Sequence, residues 1–286
     1  MDWGELQAAV RALRADRTLT ATEVARAGSV LLQRTLAEIY LGEPQVLRSV
    51  VRALVAARPE SVSLRNVGVA VLATSQEAPT GDRMAAAERS ARRLANLLEV
   101  VPAALGRRAR PLLEGTVLTI GYSSGVHAAL LHASDRIQRA IVLEGASPGN
   151  DGRLAKELQD QGMIVESRPV SESQDALTRA HVVLLGCYAL LADGSATVSA
   201  EAGAVARMAS VTGMPVHIMA DTLKLAPWLP PESLKMLDLE QVPPERIDRV
   251  VTEDGIRQPR QLLAEAADLA RRWRGLEAEA EERLLI

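Results

Sequence analysis

The pattern of apolar residues changes at Gly115, and this change constrains the fold more than any other feature of the sequence. Before Gly115 the recognisable periodicities are helical, and after it short apolar runs alternate with helical segments. Apolar strands separated by helices are typical of a parallel sheet that is covered on both faces. The sequence therefore predicts a helical part followed by an α/β part.

The helical part shows its periodicity best in residues 20–41. Spacings of three and four place these apolar or small residues on one helix face: Val24, Gly28, Leu31, Leu32, Thr35 and Ile39. Gly42 and Pro44 end the Thr20–Leu41 helix. The other predicted helices are Leu47–Ala57, Val62–Ser75 and Met84–Val100, with a turn at Pro79–Gly81. We expect an N-terminal helical bundle over residues 1–113.

The second part is expected to be a doubly wound sheet, because right-handed crossovers join its parallel strands. Its predicted strands are Thr116–Gly121, Ala140–Glu144, Met163–Glu166, His181–Gly186, Pro215–Met219 and Ile247–Val251. Its predicted helices pass through Ala128–Leu131 and span Leu154–Gln161, Gln174–Arg179 and Ala200–Thr212. The predicted fold class is α/β, with a Rossmann-like, mostly parallel sheet domain over residues 114–286 that ends in a charged helical tail, Gln261–Leu285.

Composition argues against several classes of protein. The formal net charge is −3, so we expect no bulk attraction to nucleic acid or to an anionic membrane. A single cysteine, Cys187, permits no internal disulfide and fits a cytoplasmic location. The amphipathic N-terminus lacks a signal core, and no apolar run reaches the roughly 18 residues of a membrane span. The four histidines show no metal-ligand spacing, so neither a metal nor a cofactor is expected.

Ligands of such sheets bind outside the carboxyl ends of the strands, and the run after the first strand is a candidate. Tyr122, Ser123 and Ser124 follow Gly121 and open a helix. Small residues there leave backbone N–H groups free, and the helix dipole favours an anion. The alternative is a plain helix cap by Ser123 or Ser124. Both interpretations stay open, because the run lacks a full dinucleotide fingerprint.

The loop after the second strand is another candidate. Glu144 ends that strand, and a glycine-rich stretch leads to Gly152 and Arg153. A carboxylate and an arginine can together bind a hydroxylated, anionic molecule, and the alternative is a tight loop with a surface arginine. Asp221 and Lys224 follow the fifth strand and complete the expected binding set.

Two further features have simpler interpretations. Cys187 ends the fourth strand with no histidine or aspartate beside it, so a buried, inert thiol is favoured over a nucleophile. The basic run Gly106–Arg110 is interpreted as a solvated hinge between the two parts, since no aromatic residues accompany it for base stacking. His181 and His217 are expected to be structural.

Four runs of the α/β part are informative together: VLTIGYSS, LLGCYALLADGS, GMPVHIMADTLKL and, most specifically, VPPERIDRVVTEDGIRQP. They resemble the initiation factor 2B α/β/δ superfamily, which also contains methylthioribose-1-phosphate and ribose-1,5-bisphosphate isomerases. SVSLRNVGVAVL (Ser61–Leu72) is similar to the family's N-terminal half. The resemblance spans about residues 20–259. It implies a helical N-terminal domain, a Rossmann-like C-terminal domain and a homodimer formed through the latter.

The catalytic positions of the family's isomerases are replaced. The resemblance places Gly121 where the isomerases carry a catalytic cysteine, and Tyr188 where they carry a catalytic aspartate. Moving a proton between sugar carbons requires a positioned acid and base. Glycine cannot transfer a proton, and an ordinary tyrosine has a pKa of about 10. The phosphate-binding Asn–Lys pair of the family falls near Ala200 and Glu201, so one phosphate ligand becomes a carboxylate.

The resemblance therefore implies a ligand site without assigned catalytic residues. The expected ligand-binding residues are Tyr122, Ser123, Ser124, Glu144, Gly152, Arg153, Asp221 and Lys224. The favoured hypothesis is a non-catalytic initiation factor 2B-like subunit that binds a phosphorylated sugar or nucleotide and acts through protein partners. The alternatives are a divergent aldose–ketose sugar-phosphate isomerase that uses Cys187, Glu144 or Asp221, and a structural subunit with a closed pocket.

Overall fold

The chain up to Val100 forms one unit of the structure, a computed structural model that describes residues 3–38, 44–145, 152–226 and 239–261. Its helices are α1 (Trp3–Ala15), α2 (Ala21–Glu38), α3 (Pro44–Ala57), α4 (Val62–Glu77) and the first part of α5 (Arg83–Ala109). Thr20 starts α2 with a capping box, since it accepts from the Glu23 N–H and donates its own N–H to the Glu23 carboxylate. These helices confirm the helical N-terminal part.

The predicted face of α2 packs against α4. Val24 and Leu32 are buried, and Gly28 permits a close approach of the two helices. A Cβ atom at Gly28 would lie 2.2 Å from Cδ1 of Leu64, so no larger residue fits there without movement. Ser61 caps α4 by accepting from the Leu64 N–H.

The chain from Val101 onward forms the second unit. Its helices after α5 are α6 (Ser124–His132), α7 (Arg153–Asp160), α8 (Ser173–Arg179) and α9 (Ala200–Val211). Its strands are β1 (Gly115–Ile120), β2 (Ile137–Glu144), β3 (Val165–Pro169), β4 (Val182–Gly186), β5 (Ala189–Leu190), β6 (Ala196–Ser199), β7 (Val216–Met219), β8 (Leu239–Val242), β9 (Arg249–Thr252) and β10 (Gly255–Arg257). Strands and helices alternate as the sequence predicts.

A seven-stranded sheet organises this unit in the order β10-β9-β7-β4-β1-β2-β3. Its strands are parallel except β10, which pairs antiparallel with β9. Leu118, Val183 and Ile218, on three neighbouring strands, are fully buried. The strand order reverses direction between β1 and β4, so the loops after these strands diverge and leave a crevice at their carboxyl ends.

Two features of the sheets differ from the sequence-based expectations. The predicted strand at Met163–Glu166 starts at Val165 and continues to Pro169. A three-stranded antiparallel sheet, β5-β6-β8, was not predicted, because strands of two to four residues are too short to show a periodicity. The two compact units divide within α5, and the domain boundary at residues 113–114 stays a prediction. The predicted tail lies outside the described residues beyond Gln261.

The predicted hinge at Gly106–Arg110 is also wrong, because α5 continues through most of it. Pro102 lies inside α5 and removes only one backbone donor, so the helix does not end there. Gly106 packs against α6, where an added Cβ would lie 2.6 Å from the Ala128 carbonyl oxygen. Arg110 pairs with both carboxylate oxygens of Asp135. Helix packing and an ion pair therefore hold this basic run.

None of the described helices has the length and apolar character needed to cross a membrane.

Candidate functional site

Four loops converge where β1, β2, β4 and β7 end. Gly186, the last residue of β4, lies so close to Ser123 that an added Cβ would be 2.7 Å from the Ser123 Cβ and Oγ. Gly145, just after β2, lies beside Glu201 of α9, with 3.8 Å between an added Cβ and the carboxyl carbon. The first turn of α6 contacts Met219 at the end of β7. The expected loops therefore meet at one edge of the sheet.

Three buried side chains form what we call the buried corner of this edge: Cys187, Asp221 and Lys224. Lys224 is 6% exposed and Asp221 is 1% exposed. Their Nζ and Oδ2 atoms are 3.8 Å apart, which is an ion pair but is longer than a hydrogen bond. A lysine this deeply buried is rare unless it is paired. Sequence analysis predicted both residues for this edge of the sheet but did not predict their burial.

Burial makes the thiol of Cys187 unreactive. It raises the pKa of Cys187 to about 12, and the neighbouring charges of Lys224 and Asp221 act in opposite directions. The Sγ atom lies 3.9 Å from the carbonyl oxygen of Met219. Because the thiolate is the nucleophilic form, this thiol is almost entirely inactive at neutral pH. The buried, inert thiol is the favoured sequence interpretation and is consistent with this environment.

Glu253, which sequence analysis did not single out, supports the buried corner. It follows β9 and accepts from both the N–H and the hydroxyl of Thr222, next to Asp221. Burial raises the pKa of Glu253, and the bonds from Thr222 partly counteract this effect. Its position after the last parallel strand was the available sequence signal, since side chains at parallel strand ends share one edge.

Four partly exposed side chains form a second group, which we call the surface cluster: Tyr122, His127, Arg153 and Glu157. The Tyr122 hydroxyl donates to Glu157 Oε2 at 2.8 Å, and Arg153 Nε donates to Glu157 Oε1 at 2.9 Å. The Arg153 guanidinium lies over the Tyr122 ring, 3.9 Å from its centroid, in a cation–π contact. The His127 ring stacks on Tyr122 at 5.9 Å between centroids.

The charges of the surface cluster act on each other's ionisation. Partial burial raises the pKa of Glu157, but hydrogen bonds from Arg153 and Tyr122 outweigh burial and leave it lowered. Burial lowers the pKa of His127, Glu157 raises it, and Arg153 lowers it, with a net result below the usual value. His127 Nε2 lies 3.6 Å from Glu157 Oε2. At neutral pH the cluster therefore combines a carboxylate, a guanidinium and a neutral imidazole.

The remaining predicted residues lie at strand ends or at helix starts. Ser123 is the N-cap residue of α6 and Ser124 begins the helix, yet the Ser123 side chain makes no capping hydrogen bond. Glu144 ends β2 and accepts from the Ser167 hydroxyl. Gly152 has a φ of 74°, a left-handed conformation that suits glycine, directly before α7. The predicted loop residues 146–151 lie outside the described residues.

The two positions that the resemblance assigns to catalysis in the isomerases are Gly121 and Tyr188 in this chain. Gly121 has a φ of 64° and no atom within 4 Å of an added Cβ. Tyr188 donates its backbone N–H to the Thr197 carbonyl at the start of the small sheet. Within the described parts of the chain, no group of three or more histidine, cysteine, aspartate or glutamate residues could hold a metal ion.

Sequence reasoning missed Glu157, although it identified both of its partners. The spacing of Arg153 and Glu157 by four residues in α7 was a readable signal, since such residues are neighbours on a helix. The contact of either residue with Tyr122 depends on the tertiary fold, because α6 and β2 separate them in the chain.

A mostly parallel, Rossmann-like sheet preceded by a helical unit, with charged side chains at its strand ends, defines a class of α/β protein. The chain belongs to the Initiation factor 2 subunit family, whose model matches residues 7–241. No curated protein matches the chain significantly.

Solved structures share the fold. The tetrameric eIF2B-β2-δ2 complex from Chaetomium thermophilum contains a chain 18% identical to this one, with a TM-score of 0.80 over 93% of this chain and 94% of that one. The translation initiation factor eIF-2B of Pyrococcus horikoshii is 18% identical, with a TM-score of 0.80 over 91% and 98%. The 5-methylthioribose 1-phosphate isomerase of the same organism is 14% identical, with a TM-score of 0.73 over 92% and 88%.

Proposed function

We propose that this chain is a non-catalytic, initiation factor 2B-like subunit that binds an anionic small molecule, a phosphorylated sugar or nucleotide, at the carboxyl ends of its strands. The observation that carries the proposal is Lys224, a buried lysine in the short 3-10 turn that follows β7. The Asp221 carboxylate is 3.8 Å from its ammonium group, beyond hydrogen-bond distance. Transfer of a charged group from water is costly unless it is paired and hydrogen-bonded.

An anionic ligand would add acceptors for this ammonium group. Lysine binds phosphate as a point charge, and arginine binds it through two parallel hydrogen bonds. Arg153 begins α7 after the second loop of the same edge and is half-buried. The ligand then lies between a lysine on the β7 side and an arginine on the β2 side, with the start of α6 between them.

Three residues support the proposed lack of isomerase activity. Gly121 carries no side chain, and Tyr188 requires strong perturbation from a pKa of about 10 to act as a base. Cys187 is buried, with a pKa of about 12. A divergent sugar-phosphate isomerase is the second candidate, because Asp221 and Glu144 place carboxylates at the edge and a solved isomerase shares the fold.

The chain is proposed to act through protein contacts in the cytoplasm, as a homodimer formed through the C-terminal unit. The family membership supports this proposal, and a homodimer with two-fold symmetry is the commonest closed assembly. Sedimentation of the purified chain tests the assembly directly: a monomer at micromolar concentration contradicts it.

The binding test uses isothermal titration calorimetry with ribose 5-phosphate, AMP and inorganic phosphate as probes, at constant ionic strength because exposed charges are screened by salt. We expect at least one probe to bind and Arg153→Ala to weaken it. Arg139→Ala is the matched control, since Arg139 is an exposed arginine of β2 whose ion pair with Glu166 lies outside the site. Equal affinities in the Arg153 and Arg139 variants would place the ligand elsewhere.

The activity test distinguishes the two candidate functions. Purified protein is incubated with 5-methylthioribose 1-phosphate or ribose 1,5-bisphosphate, and the ketose product is measured. We expect no turnover above background. If the protein shows enzyme-like turnover and Asp221→Asn abolishes it, the chain is an isomerase instead. If the chain is a structural subunit with a closed pocket, no probe should raise its melting temperature.

A further inference from the structure

The surface cluster contains its own carboxylate, Glu157, which contacts residues of the proposed ligand site. Glu157 is on α7, one helical turn after Arg153, and its Oε1 atom accepts from Arg153 Nε at 2.9 Å. Its Oε2 atom accepts from the Tyr122 hydroxyl at 2.8 Å. Both carboxylate oxygens therefore bind residues that the proposed ligand site uses.

We propose that Glu157 is an affinity-determining residue of this site, because its carboxylate occupies Arg153 as an internal anion with which an incoming phosphate has to compete. The inference rests on the proposed function, since it requires Arg153 to bind the ligand. A phosphate oxygen and the Glu157 carboxylate present the same acceptor chemistry to a guanidinium. A phosphate at Arg153 is also repelled by the nearby negative charge of Glu157.

The exposure of the pair makes this exchange energetically feasible. The side chains of Arg153 and Glu157 are 32% and 35% exposed, so water can solvate the carboxylate once the arginine turns to a ligand. Ion pairs at such partly exposed positions contribute little to stability, so breaking one costs little. Tyr122 remains able to donate to Glu157 after the exchange, because its hydrogen bond involves the other oxygen.

His127 provides a spectroscopic readout of the exchange. Its imidazole faces Glu157 and Arg153 of α7 and the ring of Tyr122, which lies just before its own helix α6. Glu157 raises the pKa of His127 and Arg153 lowers it. When Arg153 turns away to a phosphate, the lowering contribution weakens, and the pKa of His127 is expected to rise.

The main test compares Glu157→Gln with Glu172→Gln by calorimetry, using inorganic phosphate and ribose 5-phosphate as probes. Glu172 is the matched control, because it pairs with Arg168 at the same spacing of four residues but away from the surface cluster. We expect Glu157→Gln to bind phosphate about three- to fivefold more tightly, because the variant removes both the competing acceptor and a negative charge that repels the phosphate. Glu172→Gln is expected to leave affinity unchanged, and Glu157→Asp, which keeps the charge, to lie closer to the wild type.

The double variants locate the effect. In an Arg153→Ala background, Glu157→Gln should change affinity by less than the single variant does, because the competed group is gone. In the wild type, phosphate should raise the pKa of His127, followed by NMR titration of the four histidines. Circular dichroism establishes that each variant is folded.

The outcomes separate this inference from the proposed function. If Arg153→Ala weakens binding but Glu157→Gln also weakens it or leaves it unchanged, Glu157 orients Arg153 and does not compete, while the proposed binding function stands. If no probe binds to the wild type or to Glu157→Gln, the proposed function fails and this inference fails with it.

Discussion

The buried corner and the surface cluster lie at the same edge of one sheet, yet they hold charge in opposite ways. In the buried corner Lys224 and Asp221 are less than a tenth exposed and form one long ion pair. In the surface cluster Arg153 and Glu157 are about a third exposed and form a short hydrogen bond within a group of four side chains. In the buried corner each charged group depends on the other for stability. In the surface cluster Arg153 can exchange its carboxylate partner for a ligand.

The largest effect is expected at the buried corner. Lys224→Met removes the ammonium group and leaves the Asp221 carboxylate buried without its ion-pair partner. Removal of one member of a buried pair costs about 3–5 kcal/mol, and we expect a loss of about 3 kcal/mol in the free energy of unfolding, measured by urea denaturation. The double variant Lys224→Met/Asp221→Asn should recover part of this loss. A loss below about 1 kcal/mol in the single variant would show that water reaches the pair.

The junction between the loops after β1 and β4 is expected to be the next most sensitive place. Gly186→Ala puts a methyl group 2.7 Å from the Cβ and Oγ of Ser123, so it should cost about 1–3 kcal/mol through overpacking. Ser123→Gly should restore much of that stability, since the Ser123 side chain makes no capping bond. Urea denaturation of the single and double variants measures the coupling.

Gly121→Ala is the control for this junction. Its added Cβ has open space, but a φ of 64° costs about 1–2 kcal/mol for a residue with a side chain. That cost comes from the backbone, so Ser123→Gly should not relieve it. Rescue of both glycine variants to the same extent would contradict the steric explanation for Gly186.

The sequence predicts the parts of this edge that depend on order along the chain. Apolar runs locate the strands, and the rule that ligands bind at carboxyl ends then selects Tyr122, Glu144 and Lys224. What it could not predict depends on three-dimensional packing. Glu201 of α9 lies beside Gly145 at the end of β2, and no local sequence pattern predicts this proximity. The depth of Lys224 depends likewise on the neighbouring β4 and β9 loops.

The protonation of two histidines, His127 and His217, tests whether depth of burial alone explains how strongly a charged form is disfavoured in each region. Burial is the largest cause that lowers the pKa of both His127 and His217, and His217 is the more buried. The unfolded chain has a histidine pKa near 6.5, so below that pH it binds more protons than the folded chain. The stability that comes from keeping each histidine neutral in the folded chain is therefore complete above about pH 6.5. It is lost as the pH falls, by at most about 1.4 kcal/mol per pH unit for each histidine.

Denaturation at pH 7.5 and 5.5 measures this loss. His217→Met should reduce the loss more than His127→Gln does, because His217 is the more deeply buried, while each histidine has one carboxylate that raises its pKa, Asp248 for His217 and Glu157 for His127. His217 Nδ1 has no hydrogen-bond partner among the described residues, so replacing it removes a buried polar atom as well. A larger reduction in His127→Gln would mean that the surface cluster excludes water more completely than its exposure indicates.

The smallest expected effect on stability is at Glu157, the residue to which the larger effect on binding is assigned. Glu157→Gln breaks a helix ion pair of a third-exposed residue, and such pairs contribute about 0.3–0.5 kcal/mol. Glu172→Gln breaks an ion pair with Arg168 that has the same spacing but joins the end of β3 to the turn after it, and it should cost a similar amount, as measured by thermal and urea denaturation. The two variants should thus match in stability and differ in phosphate affinity. If Glu157→Gln instead destabilised the protein as strongly as Lys224→Met, both charge groups would be structural, and the surface cluster could not exchange Arg153 between its carboxylate and a ligand.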